Sequence, residues 1–392
     1  MDTIVALSSG RPPAAIGVIR ISGPRAIEAA NALTRTLPLP RRAAVRSLRD
    51  RDGKLLDRAL VLVFPGPGTA TGEDLVELHC HGGRAVVDAV QAAVVSQPGC
   101  RLAEPGEFTR RALSNGRIDL AEAEGLADLL EAETESQRIA ALAATEGRIS
   151  RQVGAWMAEL ASLSAQVEVV IDYDDEDDGA SDDGAIIRIA EEAEQLGATI
   201  RTAADTPPVE RLREGVRVVI AGPPNAGKST LLNLLAEREA AIVSSVAGTT
   251  RDLIEALVSR CGMAFVLTDT AGLTETADPI EAMGVSRARD VIRSAEIMLW
   301  LGDDEPPMGA AVRVHARADL PGRSVKPANF DIEIHRDDPA AVASLWELVA
   351  QKAAALIPTA DTLPWRVRHL ALCRTAAEEL LAPSREPLLL AE

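Results

Sequence analysis

Aromatic residues are scarce in this chain: one tyrosine, four phenylalanines and four tryptophans amount to 2% of the sequence. An interior built on stacked rings is excluded, so the core has to come from Ala, Leu, Val and Ile. Cysteine is also sparse. Cys80, Cys100, Cys261 and Cys373 stand far apart with no Cys-x-x-Cys pair, which argues against a disulfide framework and for free thiols in a reducing compartment. No apolar run reaches the length that spans a bilayer, and Met1 to Arg11 lacks the charged-then-apolar layout of a secretion signal. A cytoplasmic location is expected. Cations are outnumbered too, 41 Lys and Arg against 59 Asp and Glu, for a formal charge of −18. Polyanion affinity comes largely from clustered Lys and Arg, so a broad nucleic-acid surface is excluded; a nucleic acid would be held locally or through a partner.

Against these absences stands one dense motif. Gly222-Pro-Pro-Asn-Ala-Gly-Lys-Ser229 lies between an apolar run, Val216 to Ala221, and a helical run, Ser229 to Ala236. This is the Gly-x-x-x-x-Gly-Lys-Ser pattern in its strand-loop-helix setting. Gly222 and Gly227 let the backbone curl so that successive N–H groups point at phosphate oxygens, and the helix presents its positive end to the same anion. Lys228 is expected to reach the β- and γ-phosphates and the Ser229 hydroxyl to ligate Mg²⁺.

The 392 residues are enough for about two or three domains. Ile4 to Leu7 and Ile16 to Ile21 read as strands joined by a Gly-Arg-Pro-Pro turn, Arg25 to Leu33 as a helix, Ala59 to Phe64 and Leu75 to His79 as strands, and Arg84 to Val95 as a helix. Such a succession is an α+β domain. His79-Cys80-His81 has metal-binding residue types, but on a strand the two histidines share one face while Cys80 points to the other, so no metal is expected there.

Asp2-Thr-Ile-Val, Gly17-Val-Ile-Arg-Ile-Ser-Gly23, Thr71-Gly-Glu-Asp-Leu-Val-Glu-Leu78, His81-Gly-Gly83, Glu104-Pro-Gly-Glu-Phe-Thr-Arg-Arg-Ala-Leu113 and Asn115-Gly-Arg-Ile-Asp-Leu-Ala-Glu-Ala-Glu124 resemble the MnmE (TrmE) family of tRNA-modifying GTPases. The resemblance runs from Asp2 to about Ile292. It implies a multidomain fold: a tetrahydrofolate-binding and dimerising α+β domain over 1–116, an all-α helical domain over 117–208 and 358–392, and between them an inserted α/β P-loop GTPase domain over 209–357 with a mostly parallel sheet. It also implies folate contacts at Arg20, Glu77 and Arg117, the last standing where the family has lysine. Such a choice is chemically sensible, since a carboxylate pairs with the N–H edge of a pterin and guanidinium groups suit ring oxygens or a glutamate tail. Read without the resemblance, Arg20 and Glu77 are ordinary solvated residues at strand ends.

Asp119 to Val170 reads as one or two long helices, with Leu126, Leu129, Leu130, Ile139, Leu142, Ile149, Val153 and Trp156 at helical spacing for packing. Asp172-Tyr-Asp-Asp-Glu-Asp-Asp178 reads as a solvated acidic loop. A further helix, Ile186 to Ala204, precedes a linker at Thr206-Pro-Pro208.

Downstream of the phosphate loop, Ile242-Val-Ser-Ser-Val-Ala-Gly-Thr-Thr-Arg-Asp252 is a polar loop before the strand Leu253 to Val258. Thr250 there is expected to complete the Mg²⁺ shell and sense the γ-phosphate. The strand Ala264 to Leu267 leads into Asp269-Thr-Ala-Gly272, where Asp269 suits an outer Mg²⁺ contact and the Gly272 N–H the γ-phosphate. Nucleotide contacts are thereby expected at Asn225, Ala226, Gly227, Lys228, Ser229 and Thr230. They are also expected at Ser244, Ser245, Val246, Ala247, Gly248, Thr249 and Thr250, and at Asp269, Thr270, Ala271, Gly272 and Asp319. Leu273 cannot orient an attacking water as the glutamine of Ras-like enzymes does. The resemblance implies that a K⁺ ion, held by Asn225, Ser244, the Val246 carbonyl and Thr249, supplies positive charge in the transition state, with Glu281 orienting the water.

Beyond Ile292 the pattern departs from the family. Ile297 to Leu301 is a strand, but Gly302 to Ala311 is too short and proline-rich for a helical crossover, so a helix is expected to be missing before the strand Val312 to His315. Ala316-Arg-Ala-Asp319 stands where the GTPase pattern has Asn-Lys-x-Asp. Asp319 keeps the carboxylate that pairs with guanine N1 and N2, while the departures leave base selectivity open. Arg366 to Leu381 is expected to return as a helix onto the middle helices. The chain then stops short of the cysteine-containing, lysine-ending motif of the family, which leaves a truncated and a divergent second helical segment as the two readings.

The resemblance thus implies a GTPase that uses Mg²⁺ and K⁺. It would act as a homodimer with an FAD-binding MnmG (GidA)-like partner, as a heterotetramer, in modifying C5 of the wobble uridine of tRNA from a one-carbon tetrahydrofolate. Most tRNA contact would fall to the partner, and no membrane is involved. The alternatives are a folate- and partner-binding scaffold with eroded GTPase activity, and a general ATPase.

Overall fold

Alternation of apolar with polar residues produces the first sheet. A computed structural model describes residues 2–174, 183–236, 254–270, 295–307, 311–318, 323, 325–335, 338–359 and 361–382. Contacts divide it into two units, Met1–Ala123 and Glu124–Glu392. The first holds β1 (Thr3–Leu7), β2 (Ile16–Ser22), α1 (Ala26–Thr34), β3 (Ala44–Arg49), β4 (Leu55–Phe64), β5 (Leu75–His81), α2 (Arg84–Val95), β6 (Cys100–Leu102) and α3 (Glu107–Ser114). Six strands pair in the order β3-β4-β5-β2-β1-β6, all antiparallel except β1 with β6. Ala59, Val61 and Val63 of β4 and Val76, Leu78 and Cys80 of β5 are buried against α1 and α2. With a period of two, Glu77 and His79 must face the other way. Gly82 earns its place by contact. A Cβ there would lie 2.4 Å from the Ala14 carbonyl oxygen, whereas the bare backbone exchanges hydrogen bonds with Ala14 and Ala15.

Two strands of this unit escaped the sequence pattern for physical reasons. β3 is an edge strand whose Ala-Val-Arg-Ser-Leu-Arg run reads as polar, and β6 is a three-residue parallel addition.

The second unit continues through α4 (Leu120–Glu131), which begins in the first, then α5 (Glu135–Thr145), α6 (Arg148–Asp174), α7 (Asp183–Ala204) and α8 (Glu210–Glu214). It goes on with β7 (Val216–Ala221), α9 (Lys228–Ala236), β8 (Ile254–Arg260), β9 (Met263–Asp269), β10 (Ile297–Trp300), β11 (Val312–Ala316), β12 (Ile332–Ile334), α10 (Pro339–Ala353) and α11 (Val367–Leu380). Where one or two helices were expected over Asp119 to Val170, three form. Thr134 and Gln137 make a capping box that starts α5, and Gly147, at φ +71°, interrupts the run before α6. Breaking the helix breaks its apolar stripe. Leu126, Leu142 and Val153 are exposed and Leu130 is 82% exposed, while Ala141, Ala143, Ala144, Ile149 and Trp156 are buried. The acidic run expected as a loop from Asp172 starts inside α6, and its remainder lies outside the described residues.

Helix α11 returns to α7 as expected. A Cβ on Gly197 would come 2.9 Å from Leu380 Cβ, and Arg374 donates to the Ala204 carbonyl at 3.0 Å. Trp365, 2% exposed, stacks on Trp156 at 5.6 Å between centroids. Its carbonyl accepts from the Val209 amide at 2.8 Å, so the segments leading out of α7 and back into α11 are bonded to each other.

Between α7 and α11 in the chain lies the second sheet, ordered β12-β11-β10-β7-β9-β8, parallel except for β8 against β9. Leu231, Leu232 and Leu235 of α9 and Leu345, Trp346 and Val349 of α10 share its core with Phe265. The link from β10 to β11 has no helix among its described residues, yet the strands pair in parallel. Arg313 and Arg323 tie it down, donating to the Asp303 and Asp304 carbonyls and to the Asp303 carboxylate respectively.

In the first unit, Glu107 is 3% exposed and accepts from Arg101 at 2.5 and 2.8 Å, from Arg111 at 3.0 Å and from the Glu104 amide at 2.9 Å. Arg101 holds its carboxyl well below the usual range, at about 2. A depressed folded-state value means stability that is complete above the ordinary glutamate range and is lost as pH falls through it toward 2. Removing the charge takes from Arg101 and Arg111 their shared buried acceptor, although Arg101 keeps Asp2 and Arg111 keeps Asp2 and Glu73. Glu107→Gln is expected to cost about 2 kcal/mol near neutral pH and to flatten the acid limb below pH 4.5, measured by denaturant titration across pH.

Candidate functional site

The sheet order decides where a ligand sits. β7 lies between β9 and β10, and the chain moves to opposite sides of it, so the carboxyl end of β7 is a topological switch point. Residues 222–227 leave β7 there and enter α9. Gly222 has φ +151° and Gly227 φ +98°, and Asn225 also adopts a left-handed φ of 60°. Any Cβ on Gly222 would press on Leu301 Cβ at 3.1 Å. Glycine is therefore required both for conformation and for the close approach of β10.

Lys228 is buried, and its Nζ donates to the carbonyls of Gly222 and Pro223, each at 2.9 Å. Burial pushes its pKa below the ordinary value, while Asp269 pulls the other way. Ser229 Oγ donates to Asp269 Oδ2 at 2.5 Å, joining α9 to the end of β9. Thr270 follows, its hydroxyl and amide both donating to the Ile220 carbonyl. Asn225, Ser229 and Thr230 are exposed, and Ala226 and Gly227 half-buried. A cationic amine, a helix amino end and an oxygen pair are thus gathered on one loop, a combination that can hold a polyphosphate and a hard cation.

One contact was not anticipated. Arg317, φ 63°, stands where the GTPase pattern has lysine, and its guanidinium donates to the Asn225 carbonyl at 2.6 Å. The end of β11 is thereby fastened to the phosphate loop. Ser244, Ser245, Val246, Ala247, Gly248, Thr249, Thr250, Ala271, Gly272, Glu281 and Asp319 lie outside the described residues.

A second polar group occupies the open face of the first sheet. Arg20 and Glu77 are not at strand ends but opposite each other in the β2–β5 register. Arg20 donates to Glu77 Oε1 through Nε and Nη2 at 3.1 and 2.7 Å, and His79 Nε2 lies 3.1 Å from Oε2. Burial pushes the Glu77 carboxyl up, but Arg20 and His79 outweigh it and hold it below the usual range. Reading the strand for metal ligands missed this role of His79. Its two-residue spacing from Glu77 was the available signal. His81 instead pairs with Asp57 at 2.7 Å, and no group of metal-binding side chains is found among the described residues. Arg117 is not in that trio. It donates to the Thr69 carbonyl at 3.2 Å and packs beside Gly72.

Comparison with known proteins follows this division. The family described as the GTP-binding protein TrmE N-terminus matches residues 3–117, and the MnmE helical domain matches residues 120–385. The tRNA modification GTPase MnmE of Erythrobacter litoralis is 51% identical over 98% of this chain and 90% of its own length. That of Novosphingobium aromaticivorans is 50% identical over 100% and 92%, and that of Zymomonas mobilis 45% over 100% and 92%. Among solved structures, the G domain of the T. maritima FeoB iron transporter matches 35% of this chain and 98% of its own at 18% identity and a TM-score of 0.28. The chain combines an α+β amino-terminal domain, a helical domain and an α/β P-loop domain. It belongs to the MnmE (TrmE) family.

Proposed function

We propose that this chain hydrolyses GTP with Mg²⁺ and K⁺ and takes part in modifying C5 of the wobble uridine of certain tRNAs. The observation that carries the reading is the Ser229–Asp269 pair at 2.5 Å, set beside the loop that Lys228 closes at the switch point of the sheet. The Ser229 oxygen would hold Mg²⁺, with Thr250 completing its shell on the family pattern and Asp269 as an outer contact; the ion would neutralise charge on the β- and γ-phosphates. Lys228 would exchange its two loop carbonyls for phosphate oxygens, and the amides of 225–230 would orient the chain of phosphates. Thr250, Gly272 and Glu281 are assigned the γ-phosphate and the attacking water on the family pattern alone. Asn225 is exposed on a left-handed turn with its carbonyl held by Arg317. Its side-chain oxygen is thus left for K⁺, with Ser244, Val246 and Thr249 as further ligands.

A one-carbon tetrahydrofolate is assigned to the open face of the first sheet. Glu77, held ionised, is an acceptor for the N–H edge of a pterin, with Arg20 as the cationic contact beside it and Arg117 assigned on the family pattern alone. Dimerisation through this domain and an FAD-binding MnmG-like partner complete the reading. The formal charge of −18 favours a partner that supplies most of the tRNA contact.

Phosphate release from GTP is expected to be about tenfold faster or more in K⁺ than in Na⁺; equal rates would contradict the cation assignment. Asp319→Ala is expected to weaken GTP binding about 100-fold while leaving ATP unchanged, measured by competition. A wild-type chain that binds neither nucleotide would instead support a scaffold, and one that turns over ATP and GTP alike would support a general ATPase.

A further inference from the structure

The nucleotide loop and Asp269 both lead back to one helix end outside the P-loop sheet. β8 and β9 form a continuous antiparallel hairpin from the Ile254–Asp269 pair to the Arg260–Met263 pair, a lever about 20 Å long. At one end Asp269 accepts from Ser229. At the other, the Gly262 carbonyl accepts from the amide of Ser136, in the first turn of α5, at 3.3 Å. The neighbouring residue, Gln137, is half-buried and uses both ends of its amide. Its oxygen accepts from the Glu133 and Thr134 amides at 2.7 and 3.0 Å, and its nitrogen donates to the Leu212 carbonyl at 2.8 Å. Leu212 lies on α8, which runs directly into β7 and the phosphate loop. The amino end of α5 therefore grips both lead-ins to the site. A cavity of about 50 Å³ lined by Ile139, Ala140, Leu212 and Pro364 lies beside this joint, and Ala140 packs against the core that holds Leu212, so the polar contacts add direction to an incompletely filled apolar contact.

We propose that Gln137 is a positioning residue for nucleotide turnover: its two-ended amide ties the Leu212 lead-in of the phosphate loop to the amino end of α5, the same helix end whose Ser136 amide holds the β8–β9 hairpin at Gly262, and so sets the spacing of Ser229 and Asp269. The proposal rests on the GTP-hydrolysis reading. A helix-capping role alone requires only the side-chain oxygen, and the two roles separate in one substitution. Gln137→Glu keeps an acceptor for the Glu133 and Thr134 amides and removes the donor to Leu212. Gln137→Ala removes both.

The test measures GTP hydrolysis and amide hydrogen exchange on the full chain at pH 8. Gln137→Glu, which also sets a carboxylate oxygen against the Leu212 carbonyl, is expected to melt below wild type by less than Gln137→Ala does, to lose about three- to tenfold in kcat with KM nearly unchanged, and to exchange the β8–β9 amides faster. Gln137→Ala is expected to show the same kinetic loss together with a lower melting temperature. If Gln137→Glu matches wild type in both kcat and exchange, while Gln137→Ala only melts earlier, Gln137 is a cap and the proposal is overturned. If the wild type releases no phosphate, the hydrolysis reading fails by itself. The exchange comparison then still decides, with unchanged β8–β9 protection in Gln137→Glu overturning the proposal.

Discussion

The hydrogen bond from the Ser229 hydroxyl to the Asp269 carboxylate is the interaction on which the nucleotide half of the molecule depends. It joins the first turn of the helix after the phosphate loop to the end of a neighbouring parallel strand. Its geometry holds only if β7 and β9 are adjacent and in register, as the pairing of Ile220 with Asp269 places them. Everything that orders that sheet, from the apolar run of β7 to the burial of Phe265 against Trp346, acts on this one distance. The glycines at 222 and 227 then do what no other residue can. They turn the backbone through left-handed conformations while the end of β10 approaches closely enough to crowd a side chain at 222.

A chain with so few aromatic rings has to stabilise itself by other means, and the two units differ in how. The first uses small aliphatic residues between sheet and helices and adds a charged lattice, Glu107 with Arg101 and Arg111, then Arg111 with Glu73 and Asp2. The Glu-Pro-Gly-Glu-Phe-Thr-Arg-Arg stretch, conspicuous as a motif, is therefore a structural element that fastens the start of the chain to β6 and α3. The second unit spends its rare rings at joints. Trp156 and Trp365 stack where the P-loop segment departs from and rejoins the helices, and Trp346 anchors α10 on the sheet.

The phosphate loop was legible because it combines a local requirement, glycine at two left-handed positions, with flanking periodicities that identify a strand and a helix. Most strands of both sheets could be read for the same reason. What escaped reading depended on partners far away in sequence. β3 and β12 are strands only because β4 and β11 offer edges. Leu130 looked like a core residue until the Thr134–Gln137 box divided the helix beneath it. Arg317 looked like the loss of a family lysine, whereas its longer side chain reaches the Asn225 carbonyl. The Arg20–Glu77–His79 group is likewise a matter of cross-strand register, since Arg20 and Glu77 come from different hairpins. Composition contains none of this information, and spacing contains only part.

The central claim is that the turn between β7 and α9 grips the phosphates of a nucleotide with Ser229 and Asp269 beside it. Calorimetric titration of GDP and GTP into the purified chain, with and without Mg²⁺, tests it directly. The account predicts dissociation constants of about 1 μM or tighter, strengthened by Mg²⁺; no binding heat from either nucleotide at about 1 mM would contradict it.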